Sequence, residues 1–271
     1  MNPNKIQNDA YLNVNKQLWD DKVDYHVTSE FYSNEAFING QTSLQSIELE
    51  LLGDITGKRI LHLQCHFGQD SLSLARMGAK VVGIDFSEKA ISKAKELNLQ
   101  LGLDVEFHCI DVYNVPKLDL EPFDLVYTSY GVIGWLPDIN KWAKMIASQL
   151  KTGGKIILVE FHPYIWMYDN DFNDIMYSYF NVSPIIEETE GTYAQTDAPI
   201  KNQSINWNHA LCEVITAILA SNMDLKSFQE FPYSPYNCFS NMENIERNKY
   251  VLSRFGDKIP MVYALTATKK G

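Results

Sequence analysis

Residues 59–87, RILHLQCHFGQDSLSLARMGAKVVGIDFS, constrain the fold of this chain more than any other stretch. The short apolar run Ile60–Leu63 predicts a buried strand. After a turn, Asp70–Met77 carries apolar residues at helical spacing, and Gly78 is typical of the residue that ends a helix. Lys80–Ile84 is a second short apolar run. The stretch therefore predicts a β-α-β unit.

Two acids follow predicted strands in this part of the chain. Asp85 ends the second strand, 21 residues after the turn begins at Gln64. In nucleotide-binding α/β folds an acid in this place accepts hydrogen bonds from the ribose hydroxyls. Asp111 ends the third predicted strand, Val105–Ile110, and is placed to accept from an exocyclic amine such as that of adenine. The alternative for Asp111 is a solvated turn residue.

Strands and helices continue to alternate as far as residue 161. The predicted elements are a helix over Glu88–Leu101 with Ser87 as its N-cap, a strand over Phe123–Ser129, a helix over Ile139–Leu150, a sharp turn at Lys151–Gly154 and a strand over Lys155–Phe161. Strands that alternate with helices of ten or more residues predict a doubly wound, mostly parallel α/β sheet.

The flanking regions predict a cap, an insertion and a C-terminal end of the sheet. We expect helices over Tyr11–Val23, Leu44–Leu52 and Trp207–Asn222, a hairpin over Glu187–Gln195, strands over Leu225–Phe231 and Met261–Thr268, and an irregular segment over Pro232–Asp257. The expected organisation is an N-terminal helical cap over 1–56 and a domain over 57–271 with an insertion at about 162–206. The aromatic-rich insertion favours an enclosed pocket and hence a small organic substrate.

Composition excludes several classes of partner. The 23 basic and 34 acidic residues leave a net charge of −11, which argues against nucleic acid or an anionic membrane as the main partner. We expect no transmembrane helix, no signal peptide and no metal site. The four cysteines are far apart, which favours free thiols in a reducing cytoplasm. The oligomeric state stays open between a monomer and a homodimer.

Five segments in order resemble a known family. The segments ILHLQCHFG, VVGIDFS, VEFHCIDV, FDLVYTSYGVIGWL and LKTGGKIILVEF, within about residues 57–161, resemble the motifs of class I S-adenosylmethionine-dependent methyltransferases. The resemblance implies a Rossmann-like sheet of seven strands whose last strand is antiparallel. It also implies S-adenosyl-L-methionine as cofactor and methyl transfer to a small molecule, with an oxygen, nitrogen or carbon acceptor unresolved.

The chain departs from this family in the turn after the first strand. The family has an acid two residues before the turn and then glycines in a GxGxG arrangement. Here His62 stands at the acid, Gln64 at the first glycine and His66 at the second, and only Gly68 is kept. Side chains at these positions narrow the pocket or supply new polar contacts, because glycines there allow close approach of the backbone to a ligand.

The resemblance assigns site residues to the turn and to the strand ends. The implied cofactor-binding residues are Gln64, Cys65, His66, Phe67, Gly68, Asp85, Phe86, Ser87, Asp111, Val112, Ser129, Tyr130, Gly131 and Trp135. Trp19 and Tyr32 are placed to close over the site from the cap. His162 and His209 are the candidates for a general base on a hydroxyl or amine acceptor.

Two other functions remain open at this point. A binding module that keeps the cofactor and has lost catalysis agrees with the missing glycines. A nucleotide-dependent oxidoreductase on a similar sheet requires a glycine-rich turn, which this chain lacks.

Overall fold

A seven-stranded sheet forms the centre of the molecule. The computed structural model describes residues 3–271, with side chains from residue 10 onward, so residues 1 and 2 of the expected cap lie outside the described residues. The strands of the seven-stranded sheet are β1 (Arg59–Leu63), β2 (Lys80–Asp85), β3 (Glu106–Cys109), β4 (Phe123–Ser129), β5 (Leu150–Phe161), β8 (Met223–Phe231) and β11 (Val262–Lys269). Two separate two-stranded sheets consist of β6 (Ile185–Glu190) with β7 (Lys201–Asn206) and of β9 (Met242–Glu246) with β10 (Lys249–Leu252).

The order of the main sheet is β3-β2-β1-β4-β5-β11-β8. β1 pairs in parallel with β2 and β4, and β4 pairs in parallel with β5. β11 pairs antiparallel with both β5 and β8. The predicted seven-stranded, mostly parallel α/β sheet with an antiparallel last strand is therefore confirmed.

Helices cover both faces of the sheet. They are α1 (Pro3–Thr28), α2 (Asn34–Ile38), α3 (Ser46–Leu52), α4 (Gln69–Arg76), α5 (Glu88–Leu101), α6 (Ile139–Gln149) and α7 (Leu211–Ala220). α3, α4 and α5 pack in one apolar cluster, and α6 and α7 pack in another on the opposite face. Successive residues of β1, Ile60 and Leu61, enter different clusters because side chains alternate along a strand. The β1 and β4 strands are thus buried on both sides, as their continuous apolar runs predict.

α1 is longer than the predicted helix Tyr11–Val23 and is held to the rest of the chain by polar side chains. The Asn15 amide donates to the Ile205 carbonyl at 2.7 Å and accepts from the Ile205 N–H at 3.0 Å. The Ser87 hydroxyl donates to Asp20 at 2.6 Å. These contacts place α1 over the carboxyl-terminal edge of the sheet.

Four sequence predictions need correction. The hairpin of the insertion joins β6 to β7, so its second strand is 201–206 and the segment after Gly191 forms the loop. Residues 232–257 are not wholly irregular, because β9 and β10 pair there. The C-terminal helix begins at Leu211, four residues later than predicted. The segment predicted as a sharp turn at Lys151–Gly154 is the start of β5, with a shift in its register against β4.

Within residues 3–271 no helix combines the length and the apolar character that crossing a membrane requires.

Candidate active site

A cleft lies at the carboxyl-terminal edge of β1, β2 and β3, under α1. The cleft is narrow, with a cavity volume of about 30 Å³, and it is partly open to solvent. Its lining residues are Tyr11, Leu12, Asn15, Gln64, Ile84, Asp85, Phe86, Ile110, Asp111, Val112, Trp135 and Leu136. This is the edge where open α/β sheets bind their ligands. The wall is mostly apolar, with two carboxylates and two amides.

Asp85 ends β2 and connects two turns through its carboxylate. One oxygen accepts the N–H of His66 at 2.9 Å, and the other accepts the N–H of Ser87 at 2.9 Å. The residue is 7% exposed. Burial raises the pKa of Asp85 to about 6, and the backbone N–H donors limit the rise. Each oxygen keeps a lone pair for a further donor, such as a vicinal hydroxyl of a ribose.

Asp111 follows β3 and lines the same cleft. One of its oxygens accepts the N–H of Tyr113 at 2.9 Å and so caps the 3-10 helix Val112–Leu118. Burial raises the pKa of Asp111, an effect that this hydrogen bond and nearby lysines oppose. The structure therefore brings Asp85 and Asp111 to one cleft, as the strand pattern predicts. Asp111 also caps the 3-10 helix that follows it.

The turn after β1 has the backbone of a glycine-rich loop without its glycines. Gln64 and His66 have φ of 53° and 50°, and Gly68 has φ of 85°. All three positions are left-handed, a conformation that costs a residue with a side chain roughly 1–2 kcal/mol. A Cβ at Gly68 would lie 2.8 Å from the Phe107 ring and 2.9 Å from Ala94. Gly68 is thus the position of the three where packing also excludes a side chain.

The side chains at the two substituted positions, Gln64 and His66, contact partners on opposite sides of the turn. The Gln64 amide donates to the Val132 carbonyl at 2.8 Å, while its oxygen is buried without a partner. The His66 ring lies 2.9 Å from the ring of His26, atom to atom, and 5.3 Å from Trp19 between centroids. Burial lowers the pKa of His66 to about 3, so the ring is neutral at pH 7.

His62, at the position of the family's acid, is a buried structural histidine. Its Nδ1 lies 2.7 Å from the Ser71 hydroxyl, and its ring packs on Tyr127. Burial lowers the pKa of His62 to about 3. On α4, Asp70 accepts a hydrogen bond from the Ser129 hydroxyl at 3.3 Å.

Glu160 organises the loop that follows β4. Its buried carboxylate accepts the N–H groups of Gly131, Val132 at 2.8 Å, Ile133 at 3.1 Å and Phe161 at 2.7 Å. The Trp135 indole then donates to the Gly131 carbonyl at 2.7 Å. The sequence analysis did not select Glu160, although a single acid inside the apolar run KIILVEF is a visible signal.

The loop also carries Tyr130 into contact with a buried acid of the cap. Tyr130 has φ of 32°, and its hydroxyl donates to Glu48 at 2.7 Å. Glu48 is 0% exposed. Burial and the negative charge of Asp70 raise the pKa of Glu48 to about 7, against the hydrogen bonds from Tyr130 and the backbone.

The predicted cofactor residues divide into two groups. Gln64, Asp85, Phe86, Asp111, Val112 and Trp135 line the cleft. Cys65, His66, Phe67, Gly68, Ser87, Ser129, Tyr130 and Gly131 lie outside its lining. The lining residues that the sequence analysis missed are Tyr11, Leu12, Asn15, Ile84, Ile110 and Leu136. The cap residues among them, Tyr11, Leu12 and Asn15, showed no feature in the sequence beyond the helical periodicity of their segment.

Several of the residues outside the lining hold the cleft together. Cys65 pairs its N–H with the Ile84 carbonyl at 2.8 Å, and Phe67 is buried against Tyr32. The Ser87 hydroxyl caps α5 by accepting from Ala90 at 3.0 Å.

The two candidate bases lie outside the cleft lining and are engaged elsewhere. His162 contacts Glu230 at 3.0 Å through Nε2 and accepts the Tyr164 N–H at 3.1 Å through Nδ1. His209 contacts the Leu136 carbonyl at 2.7 Å through Nε2 and Glu213 at 3.1 Å through Nδ1. All four ring nitrogens therefore have partners, and a catalytic role for either histidine stays a prediction.

Comparison with known proteins identifies the central part of the chain. Residues 60–154 match the family model described as "Methyltransferase domain". The chain is 32% identical over 105 residues to a ubiquinone biosynthesis O-methyltransferase of Bordetella avium, which covers 39% of this chain and 43% of that protein. It is 33% identical over 133 residues to an uncharacterized methyltransferase of Synechocystis, covering 48% of this chain and 60% of that protein. Both relatives are thus matched over less than two thirds of their own length.

A solved structure shows that the fold extends over nearly the whole chain. An S-adenosylmethionine-dependent methyltransferase from Clostridium acetobutylicum superposes with a TM-score of 0.57 at 16% identity, covering 93% of this chain and 96% of that one. At this identity the likeness concerns the fold.

We expect Gly68→Ala to lower the free energy of unfolding by about 2–4 kcal/mol, since the new methyl group clashes with Phe107 and Ala94 in a left-handed backbone. Gly102→Ala is the control, because Gly102 has φ of 61° but open space around its Cβ. That control should lose only about 1 kcal/mol. Urea unfolding of the two variants measures the difference, and equal losses would contradict the packing argument.

We also expect Glu48→Gln to change how stability depends on pH. Because the pKa of Glu48 rises from 4.5 to about 7 on folding, the protonated carboxyl group stabilises the folded state relative to the ionised form. Its contribution is therefore lost as the pH rises from about 4.5 to 7. The groups that interact electrostatically with Glu48 are Asp70, Tyr127, Tyr130, Tyr233 and Tyr236.

Relative to the wild type, Glu48→Gln should gain about 3 kcal/mol between pH 4.5 and pH 8. Denaturant unfolding at both pH values measures this gain. Glu50→Gln changes an exposed acid of the same helix and should leave the pH dependence unaltered. A Glu48→Gln curve parallel to that of the wild type would show that Glu48 titrates normally.

Proposed function

We propose that this protein transfers a methyl group from S-adenosyl-L-methionine to a small organic molecule, because residues 60–154 match a methyltransferase-domain model and the strand-end motifs resemble those of class I S-adenosylmethionine-dependent methyltransferases. The observation that carries the proposal is the cleft at the carboxyl edge of the sheet, with Asp85 and Asp111 on one wall. A reducing, cytoplasmic location stays a prediction.

The residues of the cleft fit an adenosine group. Asp85 would accept from the two ribose hydroxyls, and Asp111 would accept from the amine of the base. Phe86, Val112 and Leu136 supply apolar surface for the ring. The buried Gln64 oxygen, which has no partner in the described structure, is an acceptor for a further donor of the cofactor.

The cap supplies the exclusion of water that methyl transfer requires. The cofactor provides an electrophilic methyl group on a sulfonium, and the protein must align the acceptor with it. Trp19 of α1 packs edge-on against Trp135 at 5.4 Å between centroids, so α1 and the loop after β4 meet above the turn. Aromatic faces in this position also attract a sulfonium by cation–π interaction.

A cofactor-binding module without catalysis is the second candidate. It is favoured by the substituted turn, since Gln64 and His66 place side chains where the family has none. However, the Gln64 amide is hydrogen-bonded to the Val132 carbonyl, and the His66 ring is hydrogen-bonded to the His26 ring. Both side chains therefore have polar partners within the protein. This geometry supports a variant turn whose side chains are held by the fold. The matches to methyltransferases favour the enzyme over the module.

Isothermal titration with S-adenosylhomocysteine tests the proposed cofactor site. We expect the wild type to bind, and Asp85→Ala and Asp111→Ala each to weaken binding by about 1–3 kcal/mol because they leave donors of the cofactor unpaired. Asp104→Ala removes an exposed acid beyond the cleft and serves as the control.

Circular dichroism must show that each variant is folded. Unchanged affinity in both cleft variants would place the cofactor elsewhere, and absence of binding to the wild type would overturn the proposed function.

A further inference from the structure

A second polar compartment lies beside the cleft, where β1 and β4 end. It is formed by Glu48, Asp70, Tyr127, Tyr130 and Tyr236, which we call the acidic compartment. Tyr130 donates to Glu48 at 2.7 Å, and the ring of Tyr130 packs edge-on against Tyr236 at 5.1 Å between centroids. Glu48 and Tyr127 are 0% exposed, whereas Asp70, Tyr130 and Tyr236 keep part of their surface accessible. The compartment is thus deep but not sealed.

The compartment holds two carboxylates and no counter-charge. Among the side chains of residues 10–271, no lysine, arginine or histidine forms an ion pair with Glu48 or Asp70. Desolvation raises the pKa of both groups, and the charge of Asp70 adds to the effect on Glu48. Glu48 accepts hydrogen bonds from the Gln45 N–H at 3.1 Å and from Tyr130, and Asp70 accepts one from Ser129, but no cation compensates either negative charge. Because a buried charge without a counter-charge is costly, the region favours a positively charged ligand.

The Tyr127 hydroxyl points to a missing ligand in the same place. It is fully buried and has no hydrogen-bond partner in the described structure. Tyr127 lies two residues before Ser129 on β4, so both side chains are on one face of the strand, and Ser129 donates a hydrogen bond to Asp70. The charges of Asp70 and Glu48 raise the pKa of Tyr127 further than burial alone. Buried hydroxyls normally have a partner. A ligand with several N–H donors would satisfy this hydroxyl and both carboxylates at once.

The compartment and the cofactor cleft share one wall. Tyr130 begins the loop after β4, and the side chain of Gln64, which lines the cleft, donates to Val132 two residues further along this loop. Glu160 fixes the same loop through its backbone N–H groups. A molecule in the acidic compartment is therefore next to the end of the cleft where the turn after β1 and the loop after β4 meet.

We propose that the acidic compartment binds the methyl acceptor and that the acceptor is an organic amine, an inference that rests on the proposed methyltransferase function. Its ammonium group would lie between Glu48 and Asp70, with the Tyr130 and Tyr236 rings beside it, as aromatic side chains surround organic cations in other proteins. Anionic acceptors would be repelled by the two carboxylates, and a neutral hydroxyl would leave their charge uncompensated.

Glu48 also has the position to take the proton that an ammonium must lose. The acceptor gives one proton to the Glu48 carboxylate and becomes a neutral amine with a free lone pair. The nitrogen then forms a bond to the methyl carbon, the carbon–sulfur bond breaks, and its electron pair stays on sulfur. The products are an N-methylated ammonium, neutral Glu48 and S-adenosylhomocysteine. Proton removal by a positioned group contributes about 10²–10⁴-fold to such reactions.

Matched acceptor series test the inference on the full chain with S-adenosylmethionine. The probes are propylamine, benzylamine and phenethylamine, each with the alcohol and the carboxylate of the same skeleton, and release of S-adenosylhomocysteine is measured. We expect the amines to show kcat/KM values about tenfold or more above their partners. Turnover of alcohols or carboxylates in preference to amines would overturn the inference, as would failure of every amine to bind the protein loaded with S-adenosylhomocysteine.

Variants separate the role of Glu48 from cofactor binding. Glu48→Gln should lower kcat/KM for amines about 10²-fold and flatten the pH profile of kcat, with the affinity for S-adenosylhomocysteine unchanged. Asp70→Asn should raise KM for amines. Glu50→Gln is the control and should behave as the wild type.

The cofactor itself carries an ammonium group, which makes its affinity the deciding measurement. Amine kinetics that stay unchanged while Glu48→Gln and Asp70→Asn lose S-adenosylhomocysteine binding would assign the compartment to the cofactor and overturn the inference. A wild type that binds S-adenosylhomocysteine but no amine refutes only this inference. A wild type that binds neither refutes the proposed function.

Discussion

The carboxylate of Asp85 holds the carboxyl edge of the sheet together. It accepts one backbone N–H from the turn after β1 and one from the turn after β2, so two loops that would otherwise move separately have a fixed spacing. Ser87 extends the connection, because its hydroxyl donates to Asp20 of α1. The position of the cap over the cleft therefore depends on a side chain that we propose binds the ribose of the cofactor. Hydrogen bonds from N–H groups to a buried carboxylate are strong enough for this purpose.

The turn after β1, where Gln64 and His66 replace glycines, is held by the same carboxylate of Asp85. Gln64 and His66 adopt left-handed conformations that glycine adopts without cost, and each is compensated by contacts. The N–H of His66 bonds to Asp85 and its ring lies against His26, while Gln64 bonds to Val132. Such conformations persist where the surroundings over-determine them, and they cluster at functional sites. The turn is thus tied to both the cap and the loop after β4.

Acids divide the site into two regions with different electrostatics. Asp85 and Asp111 accept backbone N–H groups at the cleft, and Glu160 uses four such donors to shape the loop. Glu48 and Asp70 also accept hydrogen bonds, but they lie close enough for the charge of Asp70 to raise the pKa of Glu48, and no cation compensates either charge. Backbone N–H donors oppose the rise that burial causes in the pKa of Asp85, Asp111 and Glu160, whereas the neighbouring charges of Glu48 and Asp70 suit that pair to bind a cation or to take up a proton.

Much of the central domain could be predicted from the sequence because its signals are local. Alternating apolar runs, helix caps and strand-ending acids predicted β1 to β5 along the chain. The apolar segment at 261–268 predicted the last strand, and the family resemblance predicted that it is antiparallel. The short strands β9 and β10 were missed, since β9 is mostly exposed and polar and β10 has only four residues, too few for a clear pattern. Six predicted cofactor residues line the cleft. The residues that the cap adds to the lining could not be predicted, because they depend on where α1 packs.

The sequence by itself determined the fold class, the methyltransferase resemblance and the pair of acids at the sheet edge, because periodicity and spacing encode which strand ends share that edge. Only the tertiary structure decided what the turn and the acids do. Residues far apart in the chain, such as Glu48 with Tyr130 or His26 with His66, meet through folding, and no local pattern records these contacts. Burial then sets their protonation, since the removal of water from a charged group depends on everything packed around it.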